Sequence, residues 1–286
     1  MKLRTLAIAS FCLVASCAVG VGIGVSASGD SSTSRNHVRI VHLEGMIVDP
    51  SKVVKKLIEA RDDSAVRAVV LRIESPGGAV AASQEIYSAV LSVSAKKPTI
   101  ASVGNLGASG GYYAALGARR IMADPGSLTA SIGVISQFTD AHELLDKVGV
   151  HMETVKSGEM KDAGTPFRAM APRERAYFQS VINDVYHQFR AEVVRRRKVD
   201  SAALDTLADG RVLSGTQAKR AGLIDTLGTL EDALAWAKIQ AKLPAGAPVV
   251  DDVSKPSFLR RLLDPDDEGL SHLLPLGSSP VQFRVP

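Results

Sequence analysis

Ser109 is the residue whose surroundings best suit nucleophilic chemistry. It stands within residues 104–113 (Gly-Asn-Leu-Gly-Ala-Ser-Gly-Gly-Tyr-Tyr), after a β-type apolar run at 99–103 and before a helical Ala-Ala-Leu at 114–116. Small neighbours let a substrate backbone approach the hydroxyl, and the free N–H groups at a helix start face developing negative charge. The stretch fits either a catalytic serine or a structural serine at a strand-to-helix turn.

A serine nucleophile needs a base, and histidine is one candidate. Residues 107–111 (Gly-Ala-Ser-Gly-Gly) fit the G-x-S-x-G pattern of α/β-hydrolases, in which an acid and a histidine follow later in the chain. The histidines that follow are His142, His151, His187 and His272. Two are predicted inside helices, one opens a predicted strand and one is in the tail, so none follows a late strand after an acidic residue.

Lysine is the other candidate base. A lysine accepts a proton only where burial lowers its pKa. A shift from about 10.4 to about 7–8 costs on the order of 4 kcal/mol. Lys156 and Lys161 follow a predicted strand, in a loop of the kind in which α/β folds hold their sites. Their spacing does not separate the two, and both also fit a solvated surface charge.

The elements that hold these residues alternate between strand and helix. Hydrophobic patterning predicts strands at 38–43, 67–73, 99–103, 120–123, 132–136 and 150–155, and helices at 51–61, 80–93 and 140–148. This alternation predicts an α/β domain with a largely parallel sheet. A C-terminal helical part follows, with helices predicted at 171–197, 201–207, 214–220 and 230–242.

The N-terminal residues 1–29 predict a single transmembrane helix. Residues 5–29 carry no charge, and this run exceeds the apolar core of a signal peptide, about 7–15 residues, and reaches the length of about 20 that spans a bilayer. Lys2 and Arg4 place the N-terminus in the cytoplasm, so the domain is expected on the outer side of a bacterial inner membrane. Signal cleavage near Ser26 and lipidation at Cys17 remain alternatives, and both also place the domain outside the cytoplasm.

Three further regions follow the predicted anchor. Residues 30–36 are polar without apolar periodicity and predict a flexible tether. Residues 37–242 predict one folded domain. Residues 243–286, rich in Pro, Ser, Gly and Asp, predict a mostly disordered tail.

The cysteine and charge content narrows the chemistry of the folded part. Both cysteines of the chain, Cys12 and Cys17, lie in the N-terminal apolar segment, which excludes disulfides, cysteine metal sites and a cysteine nucleophile from the folded part. The sequence has no H-E-x-x-H or phosphate-loop pattern, so we expect neither a metal nor a nucleotide cofactor.

The charge distribution gives no case for nucleic-acid binding. Lys2, Arg4 and Arg35 less Asp30 account for +2 of the net charge of +4, which leaves +2 for the remainder. The dense basic run at 195–198 ends a predicted helix and fits a solvated helix face, with contact to anionic lipid as the alternative.

Four stretches together resemble the signal peptide peptidase A family, membrane-anchored Ser/Lys proteases related to the Clp protease and crotonase folds. They are residues 73–78 (Ile-Glu-Ser-Pro-Gly-Gly), 107–113, 128–135 (Leu-Thr-Ala-Ser-Ile-Gly-Val-Ile) and 156–162 (Lys-Ser-Gly-Glu-Met-Lys-Asp). Residues 210–212 and 221–225 match later segments of the family. The similarity covers roughly residues 37–242, with every motif in family order.

The resemblance implies roles for five residues. Ser109 is expected to be the nucleophile and Lys161 the general base, with Ser131 hydrogen-bonding the lysine. The backbone N–H groups of Gly78 and Gly110 are expected to form the oxyanion hole, and loss of one such donor typically costs roughly 10²–10³ in rate.

One neighbour bears on the proposed base. An Asp162 carboxylate facing the lysine would keep it charged, so we predict that this carboxylate points away.

The resemblance also implies an assembly and a substrate class. Single-copy members of the family form rings in which neighbouring protomers contribute the serine and the lysine, and this chain holds one copy. It therefore predicts a homo-oligomer with an inactive isolated subunit, acting on cleaved signal peptides and other short apolar peptides at the membrane. Two alternatives stay open: a Ser/His esterase of α/β-hydrolase type, and a non-catalytic membrane scaffold with the same fold.

Overall fold

The computed structural model describes residues 36–197 and 199–252. The predicted anchor at 1–29, the tether up to residue 35 and residues 253–286 of the predicted tail lie outside the described residues. Among the described helices, none combines the length and the apolar character that a bilayer crossing requires.

The described strands form one eight-stranded sheet in which every pairing but one is parallel. They are β1 (His37–Ile47), β2 (Val66–Gly78), β3 (Thr99–Ala108), β4 (Arg120–Ala123), β5 (Leu128–Ala130), β6 (Val212–Ser214), β7 (Thr226–Leu227) and β8 (Val249–Asp251). The order is β6-β5-β3-β2-β1-β8, with β4 between β3 and β7, and the β5–β6 pair is antiparallel. The predicted α/β domain with a largely parallel sheet is confirmed.

Helices cover both faces of this sheet. They are α1 (Ser51–Asp62), α2 (Val80–Lys96), α3 (Gly110–Ala115), α4 (His142–Lys147), α5 (Pro172–Arg197), α6 (Ser201–Asp205), α7 (Gly215–Arg220) and α8 (Leu230–Gln240), with a 3-10 helix at Glu159–Asp162. The larger core packs α1, α2, α3 and α5 against one face, and α8 covers the other. Alternate residues of β2 therefore enter different cores, Leu71 the first and Val70 the second, which explains its nearly continuous apolar sequence.

The register of β2 and β3 brings two loops together at the carboxyl edge of the sheet. Ser75 pairs with Gly107 after an irregularity in the ladder. The end of β2 at Gly78 and the residue after β3, Ser109, consequently lie side by side. This edge is where parallel sheets hold their binding sites.

The C-terminal part differs from its prediction because three short strands return from it to the sheet. Val249 pairs with Val38 and Asp251 with Ile40, so the tail that is predicted to be mostly disordered from residue 243 contains a strand, β8, near its start. A strand of three residues beside Pro and Gly carries too little periodicity to stand out. The open edge of β1 supplies the hydrogen-bond partners that make it a strand.

The predicted strands at 132–136 and 150–155 are also absent from the described structure, where both stretches are irregular. The Ile132 carbonyl accepts from the Gly210 N–H at 3.1 Å, and the Val150 N–H donates to the Leu145 carbonyl at 2.9 Å. Neither stretch pairs with a strand of the described sheet, and a strand needs such a ladder of hydrogen bonds. Val150 and Met152 are about half exposed, and Val155 is 95% exposed. These apolar side chains lie on the surface rather than in a core.

Two arginines of the basic run at the end of α5 are bound to neighbouring elements rather than solvated. Arg195 pairs with Glu192, and Arg197 forms a bidentate pair with Asp225 at 2.9 Å for both contacts. Arg196 donates to the Leu116 carbonyl at 2.9 Å. The prediction of a solvated helix face is therefore wrong for Arg196 and Arg197, whose side chains fasten α5 to its neighbours. The Arg195 side chain is 65% exposed and fits the prediction.

Candidate active site

Ser109 adopts a backbone conformation that residues with a side chain rarely take. Its φ is 49° and its ψ is −118°, at the junction between β3 and α3. Such conformations cost on the order of 1–3 kcal/mol and persist only where the surroundings fix them. The Ser109 N–H donates to the Ala130 carbonyl at 2.8 Å, and the Ser109 carbonyl accepts from the Tyr113 N–H at 2.8 Å. This conformation places Ser109 at the carboxyl end of β3, beside the pocket that it lines.

The segment opposite Ser109 is strained as well. Ala130 has a φ of 65° and Ser131 a φ of 53°. The Ser131 N–H donates to the Arg211 carbonyl at 3.1 Å, and its hydroxyl donates to the Gly210 carbonyl at 3.0 Å. This hydrogen bond uses the single hydroxyl proton of Ser131, so the hydroxyl can act toward a further partner only as an acceptor, through its oxygen lone pairs.

The turn that ends β2 packs directly against the serine. Gly77 has a φ of 99°, and a Cβ at this position would lie 2.5 Å from the Gly110 nitrogen and 2.8 Å from the Ser109 Cβ. The buried Ser75 hydroxyl accepts from the Gly77 N–H at 3.1 Å and donates to the Gly45 carbonyl at 2.7 Å. Ser75 and Gly77 thus shape the site although sequence reasoning gave them no role. Their signal was the stretch at 73–78 that contains them.

The two glycines expected to form the oxyanion hole leave no room for a side chain. A Cβ on Gly78 would lie 2.1 Å from the Ile47 carbonyl oxygen, and one on Gly110 would lie 2.2 Å from the Ser83 Oγ. Gly110 is the first residue of α3, so its N–H has no acceptor within the helix. Both glycines line the same pocket as Ser109.

This pocket, which we call the serine pocket, has a volume of about 380 Å³. Ser109, Gly78, Gly110 and Ser131 line it together with apolar side chains, among them Val80, Tyr113, Val134, Ile135, Val185 and Phe189. Its size falls in the range of ligand sites, roughly 300–1,000 Å³. An apolar pocket with a strained serine and glycine turns can accept a small apolar group and a reacting carbonyl.

Lys161 lies apart from the other expected site residues. It is in the 3-10 helix, its side chain is exposed, and it is not among the residues that line the serine pocket. The backbone N–H of Lys161 donates to the Gly158 carbonyl. A single chain thus brings together four of the five expected residues and leaves the lysine outside.

A charged network, which we call the Arg168 clamp, holds the segment that carries Lys161. Arg168 donates through Nε to Asp162 Oδ2 at 3.0 Å and through Nη1 to Glu174 Oε2 at 2.9 Å. Lys156 donates to Asp162 Oδ1 at 2.5 Å. Hydrogen bonds from Arg168, and then from Lys156, lower the pKa of Asp162, and the hydrogen bond from Arg168 lowers the pKa of Glu174.

The clamp separates the two candidate lysines. Lys156 is tied to the Asp162 carboxylate, whereas the Lys161 ammonium has no ion pair or hydrogen bond with any residue at 36–197 or 199–252. Asp162 contacts Lys156 and Arg168 and forms no ion pair with its neighbour Lys161. Sequence reasoning missed Arg168 and Glu174, since six-residue separations give no periodic signal.

The described histidines lie elsewhere. His142 is 2.5 Å from Asp140, and this hydrogen bond raises the pKa of His142. His151 is 3.6 Å from Asp146. The residues that line the serine pocket do not include His142, His151 or His187. His272 lies outside the described residues, so the described part of the chain offers no Ser/His pair.

Two family models match the chain. Residues 92–244 match the model described as peptidase family S49, and residues 27–129 match the Clp protease model.

Three relatives show how far the similarity extends. A putative protease of Synechocystis is 38% identical over 240 residues, which are 84% of this chain and 87% of that protein. A putative signal peptide peptidase SppA of Enterococcus faecium is 37% identical over 66% of this chain and 55% of that protein. The chloroplastic serine protease SPPA of Arabidopsis thaliana is 33% identical over 74% of this chain. The matched part of the chain spans most of the first relative, about half of the second and 32% of the third.

Proposed function

The chain belongs to peptidase family S49, as a serine protease of the signal peptide peptidase A group, and from this premise we propose that it is a membrane-anchored endopeptidase with Ser109 as nucleophile and Lys161 as general base. The observation that carries the proposal is the left-handed Ser109 in a pocket with Gly78 and Gly110. Attack by its hydroxyl on a peptide carbonyl forms an acyl-enzyme, and the two glycine N–H groups bind the developing oxyanion.

The base of this reaction comes from a second copy of the chain. Lys161 is exposed and unpaired within the described residues, whereas a base must lie within hydrogen-bond reach of the hydroxyl whose proton it takes. Docking beside the serine pocket of a neighbour would remove water from the ammonium and lower its pKa. The Ser131 oxygen, with its acceptor capacity open, is suited to orient the incoming lysine.

The surface around Lys161 supports such an assembly. Apolar side chains are exposed along residues 135–167: Ile135, Phe138, Leu144, Val148, Val150, Met152, Val155 and Phe167. A concentration of exposed apolar residues marks an interaction surface. The β-type sequence at 150–155, which pairs with no strand of the described sheet, can gain a strand partner from another protomer.

The substrates follow from the pocket and the proposed anchor. The serine pocket is lined by apolar groups, which suits small or apolar side chains of an extended peptide added beside the site. With residues 1–29 as the anchor, the domain lies on the outer side of a bacterial inner membrane. Cleaved signal peptides and other short apolar peptides are therefore the proposed substrates.

Mixed oligomers test the shared site. Ser109→Ala and Lys161→Ala subunits, each inactive alone, should regain peptide hydrolysis when co-assembled, because some interfaces then pair an intact serine with an intact lysine. Isotope-tagged subunits and native mass spectrometry would verify the mixing. Verified mixed oligomers without any recovery would contradict a site built from two copies.

Labelling with a fluorophosphonate tests the chemistry itself. Wild type should be labelled at Ser109, and Lys161→Ala should slow labelling by at least roughly 100-fold at neutral pH, since general-base catalysis contributes roughly 10²–10⁴. Lys219→Ala, which removes an exposed lysine of α7 outside residues 135–167, is the matched control and should behave as wild type. Absence of labelling in the assembled wild type would favour the non-catalytic scaffold.

A further inference from the structure

A second concavity lies at the amino edge of the sheet, opposite the edge that holds Ser109. This amino-edge pocket has a volume of about 520 Å³ and is formed where β2 and β3 begin and α8 ends. Four cationic side chains line it: Arg67, Lys96, Lys97 and Lys242. No role in peptide cleavage falls to it.

The cations of this pocket are only partly neutralised. Lys96 is 3.4 Å from Asp62, and Lys97 donates to the Ala60 and Asp63 carbonyls. Burial lowers the pKa of Lys97, and the charges of Arg67 and Lys96 lower it further, against the opposing effect of nearby aspartates.

Arg67 and Lys242 form no ion pair or side-chain hydrogen bond with the described residues. The arginines at the end of α5, in contrast, are each bound to a carboxylate or a carbonyl. Positive charge in the amino-edge pocket is thus left for an external anion.

Lys242 occupies a position where glycine is the usual residue. It follows the last turn of α8 with a φ of 55°, and the Leu243 N–H donates to the Lys238 carbonyl in the pattern of a helix C-cap. Glycine is favoured there because it lacks the steric penalty of a Cβ. A lysine held in this strained conformation is an observation independent of the charge count, and strain of this kind points to a role for the side chain.

The position of the pocket relates it to the membrane. β1 begins at His37, which pairs with Val66 at the same amino edge. Seven residues at 30–36 separate His37 from the apolar run at 5–29, and they span at most about 25 Å. If that run is the anchor, the amino edge is the part of the domain closest to the lipid headgroups.

We propose that the amino-edge pocket is a docking surface for anionic phospholipid headgroups, with Arg67 and Lys242 as the contacts that depend most on the lipid charge. Basic groups near an anionic leaflet are attracted to it, and salt screens the attraction. The orientation rests on the membrane anchoring proposed above. The surface itself is independent of the peptidase reaction.

Site-resolved amine labelling of the full-length protein in nanodiscs tests the proposal. Discs of phosphatidylcholine alone are compared with discs containing 30% phosphatidylglycerol, and acetylation of individual lysines is followed by mass spectrometry. Phosphatidylglycerol should slow acetylation of Lys96 and Lys242 several-fold, and high salt should remove the protection. Lys219, exposed on α7, serves as the internal control and should react equally in both.

Variants make the result specific. An Arg67→Gln/Lys242→Gln double variant should lose the lipid-dependent protection of Lys96, whereas the charge-matched Lys219→Gln/Arg220→Gln control should keep it. Lys242→Gly should raise the melting temperature, because glycine relieves the backbone strain, and yet weaken the protection of Lys96. A merely structural lysine would not separate stability from lipid contact in this way.

Three outcomes would overturn the proposal. They are equal labelling of Lys242 in both kinds of disc, equal protection by inorganic phosphate in phosphatidylcholine discs, and failure of the protein to enter discs. Peptide hydrolysis is not measured in this experiment, so its result and that of the Ser/Lys proposal are separable.

Discussion

Ser109, Ala130 and Ser131 all have left-handed backbones, and none of them is glycine. Ser109 and Ser131 line the serine pocket, and Ala130 directly precedes Ser131. Each conformation is held by hydrogen bonds between segments that are distant in sequence, such as that from the Ser109 N–H to the Ala130 carbonyl. Residue types alone do not reveal such strain. Ser109 could be singled out because its small neighbours and its place between a strand and a helix are visible in the sequence. The expected role of Ser131 came only from the family resemblance.

Gly77 offers a test at this scale. Gly77→Ala adds a Cβ 2.5 Å from the Gly110 nitrogen and places alanine at a φ of 99°, so the substitution must displace one of the proposed oxyanion donors. We expect kcat for peptide hydrolysis to fall by roughly 10²–10³, the effect of losing one donor.

Gly126→Ala is the matched control for this test, because no atom lies within 4 Å of a Cβ at that position. Its kcat should equal that of wild type. A Gly77→Ala enzyme with full kcat would show that this turn does not position the oxyanion hole.

At the scale of elements, the core strands and the long helix were predictable and the segment between them was not. The run at 67–73 became the centre of β2, and the predicted helix at 171–197 became α5 (Pro172–Arg197), because each has a strong period and a face to bury. Residues 132–136 and 150–155 have the composition of strands but pair with no strand of the described sheet. A hydrophobic pattern indicates that a segment can form a strand. It does not indicate whether another strand lies beside it in the fold.

The Arg168 clamp can be tested as a unit. Glu174 is buried, and Arg168 links its carboxylate to the segment of Lys161 through Asp162. Arg168→Gln should reduce kcat by roughly ten- to a hundred-fold, because small displacements of a catalytic group are costly, with labelling of Ser109 by fluorophosphonate slowed in parallel. Arg175→Gln, an exposed change on the same helix, should leave both measurements unchanged.

The same clamp predicts a pH dependence of stability. The pKa values of Asp162 and Glu174 are lowered in the folded state from ordinary values of 3.8 and 4.5. The unfolded chain therefore takes up protons first as pH falls. The clamp stabilises fully above the ordinary pKa values, and its effect is lost as the pH falls from them through the lowered pKa values of the folded state. Wild type should melt at a higher temperature than Arg168→Gln at pH 6, with the difference shrinking toward pH 3; a constant difference would show that the clamp carboxylates do not contribute.

At the scale of the whole molecule, β8 forms one edge of the sheet beside β1, although the two strands are far apart in the sequence. Val249–Asp251 lie beside the first strand, and Asp251 Oδ1 is 2.7 Å from His42 Nε2. This pairing of the two ends of the domain is a long-range contact that no local pattern encodes. The order of the inner strands, in contrast, follows from the strand–helix alternation.

Truncations define what β8 contributes. Deletion of residues 245–286 removes the strand and should lower stability by about 2–4 kcal/mol, at about 0.5–1.5 kcal/mol per lost hydrogen bond. That corresponds to a fall in melting temperature of about 5–10 °C. Deletion of 253–286 leaves β8 intact and should melt as wild type does in calorimetry; equal melting of both truncations would show that β8 is dispensable.

The placement of Ser109 and His37 at opposite edges of the sheet sets the reach of the protein. β3 has ten residues and is about 33 Å long at about 3.3 Å per residue. With the proposed anchor in the bilayer, the hydroxyl therefore stands tens of ångströms above the lipid. In that arrangement, segments that are still embedded in the membrane would lie too far from the hydroxyl to be cleaved. The protein would then hydrolyse peptides released from the membrane and leave intact membrane proteins uncleaved.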